Sequence, residues 1–339
     1  MMNDKIKFAV IGCGHIGKRH AEMISRNADT RLVALCDILP REKLNLGQYT
    51  VPFYFSADEM LKSEKDIDVV SVCTPNGLHA ALAIKVLEAK KHVVCEKPMA
   101  LTKSDCEGIL HKALQVNRQV FCVMQNRYSP PAEWLKGLVE SKALGDIYMV
   151  QLNCYWNRDE RYYKPGSWKG TKDMDGGVLF TQFSHFIDMM YWLFGDIVDV
   201  QANFKNFTHR LNTQFEVDSG FVNFNFLKQG SGSINFSTSV WDTNFESSMT
   251  IIAQNGTVKV GGQYMDKVEY CHIKNYTMPT LAPTGPANDY GSYKGSASNH
   301  HYIIENVVKT LKEGSSVTTN ALEGMKVVEI IERIYAARK

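Results

Sequence analysis

The sequence predicts an α/β protein with two parts: a doubly wound parallel sheet, then an α+β domain with an open, mainly antiparallel sheet. The first 125 residues alternate short apolar runs, rich in β-branched residues, with helical patterns. After about residue 145 the apolar runs become longer and alternate with polar residues, as in a sheet with one polar face. The length of 339 residues exceeds one compact core, so two domains are expected.

The predicted strands of the first part are apolar on successive positions, which suits strands buried on both faces of a sheet. They are IKFAVIG, RLVALCD, VVSVCTP, HVVCEKP and QVFCVMQ. The segments between them carry apolar residues three and four positions apart, as amphipathic helices do. They are HIGKRHAEMISRN, LHAALAIKVLEAKK and KSDCEGILHKALQVN. Residues 1–125 are therefore assigned to a first domain.

Residues 126–339 are assigned to a second domain, whose strands alternate and end in Gly, Asn or Lys-Gln turns. The predicted strands are GDIYMVQLNCYWN, VDVQANFKNF, DSGFVNFNFLK, GSGSINFSTSV, SSMTIIAQ and TVKVGG. One helix is expected over residues 177–193 and two more over residues 299–311 and 321–337, with the last two able to pack back on the first domain. An open sheet of this size leaves an apolar face that a partner subunit often covers.

Composition argues against several classes of function. The 38 basic and 36 acidic residues are well mixed and leave a formal net charge of +2, so nucleic acid is not an expected partner. No run of about 18 apolar residues is present, and the short apolar stretch near the N-terminus leads into a glycine turn. We therefore expect neither a membrane span nor a signal peptide, and a cytoplasmic location. The eight cysteines include no C-x-x-C pair, which predicts reduced core thiols and no metal site.

A dinucleotide-binding turn of the Rossmann type is predicted in FAVIGCGHIGKRH. Gly12, Gly14 and Gly17 stand in G-x-G-x-x-G order between a strand and a helix whose N-terminus favours a pyrophosphate. Asp37, twenty residues beyond Gly17, is expected to bind the adenosine ribose diol and to repel a 2′-phosphate. NAD is therefore the expected cofactor, although Arg41 lies near enough to leave NADP open. A glycine turn of structural use only is the alternative.

Two further strands end in polar residues at the edge where open α/β sheets bind ligands. CTPNGLHA follows one of them and also fits a simple helix start with an N-cap. HVVCEKPMA ends the next and places Lys97 at the sheet edge. Beside a nicotinamide ring, burial would lower the pKa of this lysine toward neutrality, whereas a surface Glu-Lys pair is the alternative. The residues expected to contact the cofactor are Gly12, Gly14, His15, Ile16, Gly17, Asp37, Ile38, Thr74, Pro75, Asn76, His79, Glu96, Lys97 and Gln125.

The predicted helix GGVLFTQFSHFIDMMYWLF carries a candidate general acid/base, His185. A histidine has an unperturbed pKa near 6.5, which suits it to take a proton from a hydroxyl. Thr181 stands one turn earlier and can share its helix face. Because the surrounding helix is strongly apolar, a buried core histidine is the alternative.

Taken together, GCGHIG, CTPNGLH, CEKPMA and the histidine helix resemble the glucose-fructose oxidoreductase, inositol dehydrogenase and rhizopine-catabolism family of nicotinamide enzymes. The resemblance extends over nearly the whole chain. It implies that Lys97 reaches the reacting hydroxyl, that Pro98 follows a cis peptide bond, and that the second domain binds substrate and mediates oligomerisation. Many members have aspartate where Thr181 stands, so this sequence departs from their trio of lysine, aspartate and histidine.

Three further segments, MQNRYSP, IYMVQLNCYWNRDERYYKPGSWKGT and DGGVLFTQFSHFIDMMYWLFGDI, resemble one subgroup of that family. Its members oxidise C3 of UDP-2-acetamido-2-deoxyglucuronate on the way to bacterial O-antigen units. Basic residues for the anionic groups of such a nucleotide sugar, and aromatic faces for its rings, occur in these segments. The alternative is a solvated basic loop with aromatic core anchors. The residues expected to contact substrate are Lys97, Asn126, Arg127, Tyr163, Trp168, Lys169, Thr181, Gln182 and His185.

The expected reaction is hydride transfer from sugar C3 to NAD, with Lys97 and His185 polarising and deprotonating the C3 hydroxyl. The subgroup implies a homotetramer formed through the C-terminal sheet, and in some members 2-oxoglutarate recycles bound NADH. Two other functions remain open: a dehydrogenase of another sugar or polyol such as inositol, and an NAD-binding sensor without turnover.

Overall fold

The computed structural model describes residues 5–209, 213–291 and 293–338. Residues 1–4, part of the N-terminal stretch in which no signal peptide is expected, lie outside this range. The chain forms two compact units: Met1–Val123 with His300–Val328, and Met124–Asn299 with Glu329–Lys339. The first unit therefore ends two residues before the predicted boundary.

The first unit is built on a six-stranded sheet in the order β3-β2-β1-β4-β5-β6, with every pair parallel. Its strands are β1 Ile6–Ile11, β2 Thr30–Cys36, β3 Phe53–Tyr54, β4 Val69–Val72, β5 His92–Cys95 and β6 Val120–Cys122. This is the strand order of the Rossmann fold, in which ligands bind at the carboxyl ends of the strands. The predicted doubly wound sheet is confirmed.

Four helices connect these strands: α1 His15–Arg26, α2 Ala57–Ser63, α3 His79–Glu88 and α4 Lys103–Val116. Helix α4 begins where the Thr102 hydroxyl accepts a hydrogen bond from the Asp105 main-chain N–H, and it ends at Asn117, which has a φ of 52°. The segment CTPNGLHA forms a short 3₁₀ turn over Asn76–Leu78 before α3 begins. The predicted helix start is thus displaced to His79.

The second unit contains a seven-stranded sheet in the order β13-β12-β11-β7-β10-β9-β8. Its strands are β7 Ile147–Tyr155, β8 Ile197–Lys205, β9 Ser219–Phe226, β10 Ser231–Ser237, β11 Glu246–Ala253, β12 Gly256–Gly261 and β13 Lys267–Ile273. All pairs are antiparallel except β7 with β10, so the expectation of a mainly antiparallel sheet is confirmed. Strand β13 was not predicted because most of its side chains are exposed and carry no clear alternation.

Four helices and one short hairpin complete this unit: α5 Pro130–Glu140, α6 Lys172–Asp175, α7 Val178–Thr181, α8 Ser184–Phe194, β14 Ala287–Asp289 and β15 Lys294–Ala297. The prediction of one continuous helix over residues 177–193 is wrong. The main-chain N–H groups of Gln182 and Phe183 both donate to the Val178 carbonyl, so the turn widens and separates α7 from α8.

Two helices follow: α9 His300–Glu313 in the first unit and α10 Ala321–Ala336, which begins in the first unit and ends in the second. Within the described residues, no helix is long and apolar enough to cross a membrane. All eight cysteines are free, and six of them are buried, as expected for core thiols.

Candidate active site

The glycine turn follows β1 at the carboxyl edge of the first sheet. Gly12 has a φ of +86°, and a Cβ there would lie 2.7 Å from the main-chain carbon of Cys73. A Cβ on Gly17 would lie 1.8 Å from the Gly12 carbonyl oxygen, so both glycines are required by the fold itself. A Cβ on Gly14 would meet nothing within 4 Å. The open space beside Gly14 suits the approach of a pyrophosphate to the main chain.

The surroundings of this turn also fit NAD. Helix α1 has no side-chain cap and no acidic residue in its first turn, which leaves its N-terminus suited to an anion. Asp37 directly follows β2, and its carboxylate accepts hydrogen bonds from the main-chain N–H groups of Cys13 at 2.6 Å and Leu39 at 2.9 Å. The neighbouring Ile38 is 85% exposed. His15 is also exposed, Ile16 is half-buried, and contact of all these residues with the cofactor stays a prediction.

His79 contacts the main chain that follows β4 and the main chain that follows β5. The ring is buried, with Nδ1 2.7 Å from the Pro98 carbonyl oxygen and Nε2 2.9 Å from the Thr74 carbonyl oxygen. Its predicted contact with the cofactor is untested, but its contacts in the structure are with the main chain. Asn76 is buried beside it in the 3₁₀ turn, while Thr74 and Pro75 are half-buried.

Glu96 is buried, and its carboxylate is held within the first unit. Oε1 lies 2.9 Å from His20 Nε2 and 3.6 Å from His300 Nε2, while Oε2 accepts from the Lys97 main-chain N–H at 3.2 Å. Burial alone would raise the pKa of Glu96, but the hydrogen bond from His20 and the electrostatic contact with His300 hold it well below its ordinary value. The carboxylate therefore accepts a hydrogen bond from the main chain of the candidate catalytic lysine. Its predicted role as a cofactor contact stays untested.

Lys97 follows β5 and is half-buried. The Lys97–Pro98 peptide bond is cis, as the family resemblance implied. Glu96 holds the main-chain N–H of Lys97, and His79 holds the carbonyl of Pro98. The backbone that carries this lysine is thus fixed from both sides.

In the second unit, His185 is the second residue of α8 and is buried. Gln125 Nε2 lies 3.3 Å from His185 Nε2. A neutral histidine can take a proton at a ring nitrogen that carries no hydrogen, so Nε2 is the candidate position for a general base.

Gln125 begins a 3₁₀ turn, Gln125–Tyr128, which an ion pair joins to α8. Arg127 forms a bidentate ion pair with Asp188, with Nε···Oδ2 at 2.8 Å and Nη2···Oδ1 at 2.6 Å, and both side chains are fully buried. Asn126 Oδ1 accepts a hydrogen bond from the Ser296 hydroxyl at 2.6 Å. Contacts of Asn126 and Arg127 with substrate stay predictions; in the structure both side chains hold this turn in place.

Arg158 organises an aromatic cluster. It is buried, donates to the Gln182 amide oxygen at 2.7 Å, and stacks over Trp156 and Tyr162. The Gln182 amide nitrogen donates in turn to the Tyr162 hydroxyl at 2.7 Å. Both ends of the Gln182 side chain are engaged within the unit. Its predicted contact with substrate is untested.

Lys169 lies on the same aromatic cluster. Its Nζ is 4.0 Å from the centre of the Tyr162 ring and 2.9 Å from the hydroxyl of Tyr293, a residue that was not predicted to belong to the site. Burial, followed by repulsion from Arg158, lowers the pKa of Lys169 to about 8. Trp168 is half-buried and Tyr163 is buried against Tyr162. The cluster combines cations with aromatic faces, as a site for an anionic sugar needs.

Thr181 ends α7, and its hydroxyl contacts Asp175, which ends α6. Asp175 precedes Gly176 and Gly177, which have φ values of 82° and 112°. Asp175 was not predicted as a site residue, although an aspartate directly before two glycines is a visible sign of a tight polar turn. His20 and His300 carry no comparable sign in the sequence, because their meeting at Glu96 depends on packing.

The fold and this edge of the first sheet define an NAD-binding Rossmann oxidoreductase. A model of the oxidoreductase family with an NAD-binding Rossmann fold matches residues 6–124, and a model of the GFO/IDH/MocA C-terminal domain matches residues 133–259. The chain belongs to the GFO/IDH/MocA oxidoreductase family.

Individual relatives place the chain more narrowly. It is 29% identical to the WlbA dehydrogenase of Bordetella pertussis, solved in complex with NADH and UDP-GlcNAcA, with a TM-score of 0.86 and coverage of 98% of this chain and 96% of that one. Inositol 2-dehydrogenase of Salmonella typhimurium is 30% identical over 56% of this chain and 55% of its own. 2,7-anhydro-N-acetylneuraminate hydratase of Escherichia coli is 28% identical over 57% of this chain and 50% of its own. The chain thus spans about half the length of these curated relatives.

Proposed function

We propose that this protein is an NAD-dependent dehydrogenase that oxidises the C3 hydroxyl of a UDP-2-acetamido-2-deoxyglucuronate-type nucleotide sugar, in the synthesis of bacterial surface polysaccharide. The observation that carries the proposal is the likeness to a dehydrogenase solved with NADH and UDP-GlcNAcA, which extends over 98% of this chain. The aromatic and cationic cluster around Lys169 supports it, because the substrate carries a carboxylate and a diphosphate.

In the proposed reaction, Lys97 and His185 act on the sugar hydroxyl. His185 takes the hydroxyl proton at Nε2, after the sugar hydroxyl has replaced the Gln125 amide as the hydrogen-bond partner of that nitrogen. Lys97 donates a hydrogen bond to the same oxygen from a backbone held by Glu96 and His79. NAD, when bound, supplies the hydride acceptor.

We expect the purified protein to reduce NAD when UDP-2-acetamido-2-deoxyglucuronate is added, and to do so better than with NADP, because Asp37 would repel a 2′-phosphate. The measurement is NADH absorbance, with the product checked for a 3-keto sugar. The matched control substrate is UDP-N-acetylglucosamine, which lacks the carboxylate. Formation of 2-hydroxyglutarate after addition of 2-oxoglutarate measures the proposed recycling of NADH.

A second candidate is dehydrogenation of a polyol, favoured by the likeness to inositol 2-dehydrogenase. Activity on inositol with none on the nucleotide sugar would replace the first proposal with this one. Binding of NAD without turnover of any sugar would instead indicate a sensor.

We also propose a homotetramer formed through the open sheet of the second unit. Met149 and Ile252 are paired across β7 and β11, and both are exposed, as are other large apolar side chains of this sheet. Light scattering should give the mass of four chains, and Met149→Glu should lower it. Leu114→Glu, at an exposed apolar position of the first unit, is the control and should leave the mass unchanged. A monomeric native protein would contradict the proposal.

A further inference from the structure

Asp175 and Thr181 form a polar pair inside the second unit. Asp175 is 1% exposed, and Thr181 is half-buried. The Thr181 hydroxyl oxygen lies 2.5 Å from Asp175 Oδ1 and 2.9 Å from the main-chain oxygen of Asp175. Two oxygens of one residue therefore approach a single hydroxyl.

A hydroxyl carries one hydrogen, so Thr181 cannot donate fully to both oxygens. The main-chain carbonyl can only accept. When Asp175 is protonated, Thr181 donates to that carbonyl and accepts the hydrogen of the carboxylic acid. When Asp175 is ionised, Thr181 donates to the carboxylate. In both states Thr181 donates its hydrogen to an oxygen of Asp175. Toward any other group the Thr181 hydroxyl can therefore only accept a hydrogen bond.

The environment of Asp175 suits a group that holds a proton near neutrality. Burial raises the pKa of Asp175 to about 6, although hydrogen bonds from Thr181 and from the main chain of Gly170 and Gly177 oppose the rise. Gly170 donates to Oδ2 at 2.8 Å. The titratable groups that face the carboxyl from other segments are Lys169, Tyr162, Tyr163 and Tyr335.

Thr181 is also close in the chain to the candidate base. It ends α7, and His185, four residues later, is the second residue of α8. A hydroxyl that only accepts can receive the hydrogen bond of a sugar hydroxyl and hold it in one orientation. A hydroxyl free to rotate would donate and accept alternately.

We propose that Asp175 is a positioning residue, which directs the Thr181 hydroxyl so that it accepts a hydrogen bond from a hydroxyl of the bound sugar. This inference rests on the proposed function, because it takes Thr181 as a substrate contact. The chemical class of the ligand is a sugar with a free hydroxyl next to the one oxidised.

Kinetics of matched variants test the positioning role. Thr181→Val removes the hydroxyl at constant shape and is expected to lower kcat about 10- to 100-fold, while the KM for NAD changes by less than about twofold. Thr181→Ser and Asp175→Asn are expected to stay within about threefold of the native kcat, since serine keeps the hydroxyl and the amide of asparagine can still donate to it. Asp175→Leu should behave as Thr181→Val does.

Asp173→Asn, at an exposed position of the same short helix, is the control and should change neither constant. A native kcat in Thr181→Val, or a loss in Asp175→Asn as large as in Asp175→Leu, would overturn the positioning role. A protein that oxidises no tested sugar would overturn that role together with the proposed function.

Infrared difference spectroscopy of the NAD-bound protein during a pH titration follows the Asp175 proton without any substrate. A carboxylic-acid C=O band that disappears as the pH rises through about 6, and that is missing in Asp175→Asn, is expected. Absence of this band from the native protein would contradict the raised pKa of Asp175 and its protonated contact with Thr181. Presence of the band in a protein without turnover would uphold that contact and reject only the assignment of the sugar.

Discussion

Lys97→Met is expected to lower kcat by about 10²- to 10⁴-fold, the usual contribution of a positioned acid-base group, while NAD still binds. Methionine keeps the apolar length of the side chain and removes the ammonium. The backbone at this position is held by Glu96, which accepts from the main-chain N–H of residue 97, and by His79, which contacts the carbonyl of Pro98. Since these contacts do not use the side chain, the variant should keep the fold of the first unit.

Steady-state kinetics and a fluorescence titration with NADH are the measurements for this variant. Lys103→Met, at the start of α4 where the lysine side chain is 42% exposed, is the matched control and should retain native rates. A Lys97→Met protein that turns over as the native one does would remove Lys97 from the mechanism. Loss of NADH binding together with activity would instead point to a structural role.

The second large effect is expected on stability. Arg127→Met should lower the free energy of unfolding of the second unit by about 3–5 kcal/mol, because it leaves the Asp188 carboxylate buried without its partner. All five tryptophans of the chain lie in this unit: Trp134, Trp156, Trp168, Trp192 and Trp241. Urea unfolding followed by tryptophan fluorescence therefore reports on it.

Two further variants separate the causes. The double variant Arg127→Met with Asp188→Leu should be more stable than Arg127→Met alone, since no uncompensated charge remains. Glu140→Gln breaks the exposed ion pair with Lys136 in the same unit and should cost less than about 0.5 kcal/mol. Equal losses in Arg127→Met and Glu140→Gln would show that burial of the pair does not matter.

The first unit was largely predictable because its signals are local. A strand buried on both faces is apolar at most positions, and a dinucleotide turn needs glycine where a Cβ would strike the main chain. Gly12 and Gly17 are such positions. The spacing of Gly12, Gly14, Gly17 and Asp37 in the chain therefore predicted both the Rossmann fold of this unit and NAD as its cofactor.

The second unit was less predictable where local patterns are weak. The helix over residues 177–193 divides at Gln182 and Phe183, whose N–H groups share one carbonyl, and no residue type there signals a break. Strand β13 is mostly exposed, so it lacks the alternation that marks a half-buried strand. Several residues selected as substrate contacts, among them Arg127 and Gln182, proved to have buried partners within the unit.

By itself, the sequence determined the doubly wound sheet and its glycine turn, and it predicted Asp37 as the acidic partner of that turn and Lys97 and His185 as the residues for acid-base chemistry. These follow from spacing along the chain, because a strand end or a helix turn places its own neighbours. Only the tertiary structure decided that Glu96 contacts His20 and His300, and that Asp175 stands behind the Thr181 hydroxyl. Such contacts join segments that meet only when the chain folds and its side chains pack. Burial then shifts the pKa values of these side chains and so decides which of them are charged.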